Sequence, residues 1–342
     1  MKLRLTLLLV GLTGCTTAKA PASDAVLVIV TNEDSGDLTL IDAATDSVVA
    51  TIPVGKRPRG VKLSADGRRA FVALSGSPKC PPSMPDEECA RLIADKTADG
   101  IGVIDLATRT LLRVLPGGSD PEQFDIAKNG TYLVVANEDA GKASFIDLST
   151  GTVTAEVRVG GEPEGVRFSP DGAEVWITSE QEGSVHVLDA VTRTEKAVIR
   201  VGRRPRDIDF APDGSLAWVT GEVDATVTVV DARTHRPLRT IALPPGARPM
   251  GVRVAGNGTR VYISNGRGGT VSVLDARSDA LLADIAVGVR PWGLALSADG
   301  STLYTANGPS NDVTVIDTRT LQVVKRIGVG RMPWGVVVSP RN

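Results

Sequence analysis

Aromatic residues make up only 4% of this chain, so its core cannot be built on large flat rings. Within an apolar content of 42%, packing must come from Val, Ile, Leu and Ala. Histidine occurs twice and cysteine three times. No C-x-x-C pair accompanies them, so no metal site is expected, and no C-x-x-C-H offers a c-type haem attachment. A phosphate loop, a dinucleotide fingerprint and a Ser-His-Asp arrangement are all missing. The residues therefore call for no cofactor. A net charge of −2 and the lack of any basic run of five residues exclude nucleic acid as a partner on bulk electrostatics. What is plentiful is turn and strand material. The 36 Gly and 21 Pro, set among β-branched residues, read as many short strands joined by tight turns.

The first residues are processing signal rather than fold. Lys2 and Arg4 precede an apolar run, Leu5 to Leu12, too short to span a bilayer as a mature helix. Leu12-Thr13-Gly14-Cys15 resembles the bacterial lipobox. Residues 1–15 are thus expected to form a lipoprotein signal peptide, with Cys15 lipidated, and residues 16–24 a flexible tether. The expected location is the cell envelope, periplasm or outer membrane, with membrane contact through the lipid anchor only. In that oxidising compartment Cys80 and Cys89 are expected to form a disulfide.

Internal repeats decide the architecture. An aspartate closes an alternating apolar run at Asp42, Asp105, Asp147, Asp189, Asp231, Asp275 and Asp317, with successive gaps of 63, 42, 42, 42, 44 and 42 residues. Thr or Ser follows each one three positions later, which suits a corner where side-chain oxygens accept backbone N–H groups. A Pro-led segment, often Pro-x-Gly, opens each unit, and an Asp-Gly or Asn-Gly pair follows the first strand in six of them. These pairs read as type I′ hairpin turns. Four short strands in about 42 residues is one propeller blade. The expectation is a seven-bladed, all-β propeller over residues 25–342, four antiparallel strands per blade. Its C-terminal segment, 335–339, is a first strand without a blade, and residues 26–54 hold three strands without a first; they should complete each other and close the ring.

Val261-Tyr262-Ile263-Ser264-Asn265 and Leu303-Tyr304-Thr305-Ala306-Asn307 resemble the YVTN family of propeller repeats, over residues 25 to 342. Within it, Pro121-Glu122, Ala136-Asn137-Glu138-Asp139, Glu162-Pro163-Glu164-Gly165, Asn311-Asp312-Val313-Thr314-Val315-Ile316-Asp317 and Arg331-Met332-Pro333-Trp334-Gly335-Val336 look like the periplasmic or lipoprotein propellers associated with PQQ-dependent alcohol catabolism. That narrower resemblance implies a setting beside quinone-dependent oxidation rather than a defined activity.

Features present in every unit serve the fold, and departures from the repeat are where function can reside. By that control the seven aspartates are structural. His186 replaces a small polar residue in mid-strand and His235 sits in a corner; both read as structural. First strands run downward from the top face, so the loops between fourth and first strands gather there with those between second and third. After the Pro of each unit stand, in ring order, Arg59, Glu122, Glu164, Arg206, Met250, Trp292 and Trp334. They form a candidate ligand-binding mouth with a charged wall and an apolar one; alternatively Arg and Glu pair together while the tryptophans plug the channel. Acidic loops, Asn32-Glu33-Asp34, Asn137-Glu138-Asp139, Glu180 and Glu222, face basic Arg57, Arg203, Arg204 and Arg248 and read as solvated rim. The extra residues of the first gap, 75–100, form an inserted top-face loop suited to a lid or docking element. On the residues alone the reading is a binding or scaffold protein without enzymatic activity, holding a small organic ligand or an envelope protein partner. The alternative is a propeller lactonase- or lyase-type enzyme with Glu122 and Glu164 as its bases.

Overall fold

A computed structural model describes residues 25–79, 84–89 and 91–340. Seven four-stranded antiparallel sheets surround a central channel. Blade 1 contains Leu27–Asn32, Asp37–Asp42 and Ser47–Pro53, and takes its inner strand, Pro333–Val338, from the other end of the chain. Val28 pairs with Val338, Ile29 with Val337 and Val30 with Val336. The ring closes as expected, and Leu27–Asn32 is paired on both sides rather than left as a free edge. Blades 2 to 7 follow in chain order, their inner strands being Val61–Leu63, Pro121–Ile126, Pro163–Phe168, Pro205–Phe210, Pro249–Val254 and Pro291–Leu296. Among the described residues no helix is long and apolar enough to cross a membrane.

The core lies between blades. Its clusters draw on two neighbouring sheets at a time; one combines Ile29, Leu38 and Leu40 with Val61, Val72 and Ile104. Val, Ile, Leu and Ala do most of this packing, and the few large rings, Trp176, Trp218, Tyr262, Phe124 and Phe145, are fully buried. Fourth strands are largely exposed; of Thr110–Leu115 only Leu115 is buried.

Repeated side chains fasten the units. Each corner aspartate accepts backbone N–H bonds from the next residues, Asp189 Oδ1 from Val191 N (2.9 Å) and Thr192 N (2.8 Å). Bonds from Ser149 and Thr150 hold Asp147 down to about 2. Asn at the end of a second strand donates to a third-strand hydroxyl, Asn137 Nδ2 to Ser144 Oγ at 2.8 Å and Asn307 Nδ2 to Thr314 Oγ1 at 2.8 Å. A hydroxyl just before that Asn, or in its neighbourhood, bolts one blade to the next: Ser264 Oγ donates to Trp292 O (2.6 Å) and Thr31 Oγ1 to Arg59 O (2.7 Å). The glycine of Pro-x-Gly has a steric reason. A Cβ on Gly335 would stand 2.6 Å from Arg59 O, and one on Gly293 2.7 Å from Trp334 O, so inner strands approach too closely for a side chain.

The hairpin pairs require a correction. Gly67, Gly172 and Gly300 have positive φ, whereas their Asp partners do not, and Ser64 pairs with Arg69 across four intervening residues. These are four-residue loops with a single left-handed glycine, and the aspartate side chain caps the turn instead (Asp66 Oδ1 accepts from Arg68 N, 3.1 Å). They are not two-residue type I′ turns.

Candidate functional site

The loops between fourth and first strands meet those between second and third on one face: Glu33 N donates to Met332 O (2.9 Å) and Glu138 N to Asp120 O (3.1 Å). The residue before each inner-strand proline, namely Arg57, Asp120, Glu162, Arg204, Arg248, Arg290 and Met332, has φ between 42° and 55°. Left-handed backbone in non-glycine residues is strained, but its recurrence in all seven blades makes it part of the fold.

The seven residues of the expected mouth do gather there, and most of the charged ones are consumed by one another. Arg59, 4% exposed, contacts Asp120 through Nη2 and Glu122 through Nη1, while its Nη1 lies 3.7 Å from Glu138 Oε2. Arg206 Nη1 lies 2.7 Å from Glu164 and contacts Glu180, and its Nε is 3.8 Å from Glu222. On the opposite wall Trp292 and Trp334 pack edge to face with centroids 5.5 Å apart, and the Arg290 guanidinium lies 5.3 Å over the Trp292 ring. The space left between Gln123, Glu164, Arg206, Met250, Trp292 and Trp334 is only about 30 Å³, room for a water rather than an organic ring. The mouth is a plug.

Within this plug the carboxylates are unequal. Burial raises Glu33, but Arg57, Arg59 and Lys79 more than reverse it and hold it below the usual range. Burial also raises Asp120, and Arg59 together with a bond from Ser75 brings it down. Glu164 stays raised because burial outweighs Arg206. Glu138 is pushed up to about 7: burial raises it, Arg59 opposes, and the charges of Asp120 and Glu164 raise it further. Its side chain is 32% exposed, whereas Glu122 and Glu164 are sealed. Two carboxyls bonded to each other, Asp120 and Glu138, share a site that cannot hold two full charges cheaply. Asp120, Glu122 and Glu138 also present oxygens within 4.8 Å of one another, but the Arg59 guanidinium already answers them.

The inserted loop braces this group. Ser75 Oγ donates to Asp120, Asp99 Oδ2 accepts from Asp120 N (3.2 Å), and Lys96 contacts Asp139. Arg57 Nη1 donates to Ser77 O (2.6 Å) and Lys79 reaches Asp34 (2.9 Å). Gly118, at φ +86°, lies so close to Asn137 that a Cβ would stand 2.0 Å from its Oδ1. Cys80 lies outside the described residues, and with it the expected Cys80–Cys89 bridge; so do Cys15 and the whole leader and tether.

Next to Glu138 a cleft of about 830 Å³ runs between blades 3 and 4, bordered by Glu138, Arg158, Glu162, Gln181 and His186 among others. His186 Nδ1 lies 2.7 Å from Glu195 Oε2 and its Nε2 3.3 Å from Glu182 Oε2. Blade 4 lacks the usual Asn-to-hydroxyl bond, having Ser179 and His186 at those two places, so His186 is locally braced. His235 Nε2 lies 3.0 Å from Glu174 Oε2 and its ring meets Trp176 edge-on. Asp120, Ser75 and Asp99 were not marked by the sequence reading. Glu138 was, as part of the rim and of the run Ala136 to Asp139 that carries the narrower resemblance.

Residues 163–324 match the family model described as lactonase, 7-bladed beta-propeller. No curated protein matches the chain. Solved structures of the same fold include hydrazine synthase of Kuenenia stuttgartiensis, 21% identical, covering 85% of this chain and 92% of its own, TM-score 0.71. A provisionally named 6-phosphogluconolactonase of Bacteroides fragilis NCTC 9343 is 17% identical, covering 94% of this chain and 99% of its own, TM-score 0.75. A functionally unassigned protein of Desulfotomaculum acetoxidans DSM 771 is 15% identical, covering 92% and 98%, TM-score 0.74. The expectation of a protein without enzymatic activity is overturned by the lactonase match, which points to hydrolysis. Glu122 and Glu164 are sealed, whereas the Glu138 side chain, on the second-to-third loop of blade 3, stays partly exposed. The chain is a seven-bladed β-propeller, and over residues 163–324 it is similar to the lactonase propellers.

Proposed function

We propose that the protein is a hydrolase of the propeller-lactonase type that opens a cyclic ester in the cleft beside Glu138. A single observation carries this reading: one partly exposed carboxyl, raised to about 7, borders a cleft of ligand size. A general base works best with a pKa near the operating pH, and the cleft lies within the 300–1,000 Å³ usual for small-molecule sites. In the proposed step ionised Glu138 takes a proton from water as its oxygen bonds to the ring carbonyl carbon. The oxyanion faces the positive charge of Arg158. Collapse breaks the ring C–O bond, and the alkoxide takes the proton back from Glu138, leaving a hydroxy acid. Arg59 limits how far the carboxyl is raised, and the inserted loop holds Asp120 against it.

The test is base uptake by the purified chain in a pH-stat with a panel of γ- and δ-lactones. Turnover that falls by about 10²–10⁴ in Glu138→Gln, with an unchanged fold by circular dichroism, supports the reading. A panel without turnover above buffer, or a variant as active as its parent, overturns it.

The envelope setting is part of the same proposal. The lipobox-like Leu12-Thr13-Gly14-Cys15 supports an anchored, exported chain, and the YVTN-like repeats are compatible with the quinone-linked surroundings of that group. Radiolabelled palmitate incorporation that disappears in Cys15→Ser checks the anchor.

A further inference from the structure

We infer that the lower end of the channel is a second ligand site, which takes a small organic carboxylate with an apolar body. Beneath the tryptophan plug the channel opens into a cavity of about 870 Å³. The fourth residues after the inner-strand prolines are Lys62, Asp125, Arg167, Asp209, Arg253, Ala295 and Val337 around the ring, and all but the two aspartates line the cavity. Blades 7 and 1 close with Ala and Val there, so the fold does not require the charges in the other five.

Those charges are arranged in two layers. Lys62, Arg167 and Arg253 line the cavity. Their carboxylates do not: Asp125 lies 3.1 Å from Lys62 Nζ, Asp209 2.9 Å from Arg167 Nη2, and Asp207 2.7 Å from Arg253 Nη1. Carboxylates behind cations fix the direction of the donors, as supporting groups do in binding sites. Arg167 also spends Nε on Ile208 O (3.3 Å), and Arg253 Nη1 contacts Val252 O as well. Nη1 of Arg167, and Nε and Nη2 of Arg253, have no acceptor among the described residues and are not sealed from solvent. At the lower rim Arg260 and Arg319 outnumber Asp299. Burial pushes the Lys62 ammonium down, Asp125 opposes this, and neighbouring Arg167 and Arg253 push it further. An entering anion relieves that crowding of positive charge.

The remaining wall selects the rest of the ligand. Leu296, Ala295, Val337 and Val338 border the cavity on the side of blades 7 and 1. Each cation is partly neutralised from behind, which favours one negative group over several. A carboxylate bridging Arg167 and Arg253, with a hydrocarbon body on the Ala295–Val337 side, uses both walls. The site stands apart from the Glu138 cleft and does not depend on the hydrolase proposal.

Isothermal titration of the full chain with octanoate, and with octan-1-ol as its neutral counterpart, tests the site. One saturable octanoate site is expected, weakened by added salt, with octanol bound at least about 10-fold more weakly. Arg167→Gln is expected to lower octanoate affinity by about 10-fold or more. Should that variant not fold, the neutral pair Arg253→Gln with Asp207→Asn serves in its place with the same expected loss. Octanoate without a saturable site, octanol bound equally well, or a folded variant with parental affinity overturns the inference.

Discussion

Replacing Glu138 by glutamine should stabilise the protein at alkaline pH and leave it nearly unchanged at acid pH. In the folded chain the Glu138 carboxyl is raised from 4.5 to about 7, so between those values the folded state holds a proton that the unfolded state has lost. Stability therefore falls as pH rises through that window. At about 1.4 kcal/mol per pKa unit, the ionised group costs the fold about 3 kcal/mol by pH 8; coupling to Asp120 and partial exposure reduce this to roughly 2 kcal/mol. At pH 4 both states are largely protonated and the difference is a few tenths of a kcal/mol. Glutamine has the shape without the charge. For a chain of this size about 1 kcal/mol moves the midpoint by roughly 2 °C, so the variant should melt about 3–4 °C higher than its parent at pH 8 and within about 1 °C at pH 4. Differential scanning calorimetry at the two pH values decides it. A variant that is less stable at pH 8, or equally shifted at both, would refute the assignment of this carboxyl.

Lactone turnover should rise with pH as Glu138 ionises and level off above about 7, a profile read from kcat/KM in a pH-stat. Arg59→Met should destabilise by about 3–5 kcal/mol, because three carboxylates lose their shared cation; the loss, followed by urea unfolding, should be larger at pH 8 than at pH 5. Removing residues 333–342 strips blade 1 of its inner strand and uncovers the edge of Leu27–Asn32. Loss of buried Trp334 and Val336 alone should cost about 3–6 kcal/mol, visible as a lower, broader melting transition. Trp176→Ala should cost about 3–5 kcal/mol, since that ring is fully buried and meets Phe210 edge-on at 5.1 Å.

The ring was legible because each blade repeats the same physical demands. Corner aspartates and Pro-led starts recur in every unit at fixed spacing, and the mismatch between the two ends of the chain implies closure. Turn type was not legible from Asp-Gly alone. That pair serves both two- and four-residue loops, and the Ser64–Arg69 pairing distinguishes them. The seven mouth positions were legible as neighbours, but the sequence left both a ligand mouth and a plug open, because pairing of Arg59 and Arg206 depends on side-chain reach rather than spacing. The raised Glu138 carboxyl owes its state first to burial and then to Arg59 in blade 2, Asp120 in blade 3 and Glu164 in blade 4; no local pattern encodes that meeting. Asp120 and Glu162 stand where four other blades have Arg57, Arg204, Arg248 and Arg290, a change of sign that aligned repeats do display. The lower ring, Lys62 to Val337, is equally visible by alignment, but its two-layered charge order emerges only with the cavity.

The most direct measurement of the central claim is the titration of the Glu138 side-chain carboxyl by carbon-13 NMR on glutamate-labelled protein, its resonance assigned with Glu138→Gln. The account predicts a midpoint near 7, displaced when Arg59 is replaced by methionine. A midpoint near 4.5, insensitive to that replacement, would contradict it.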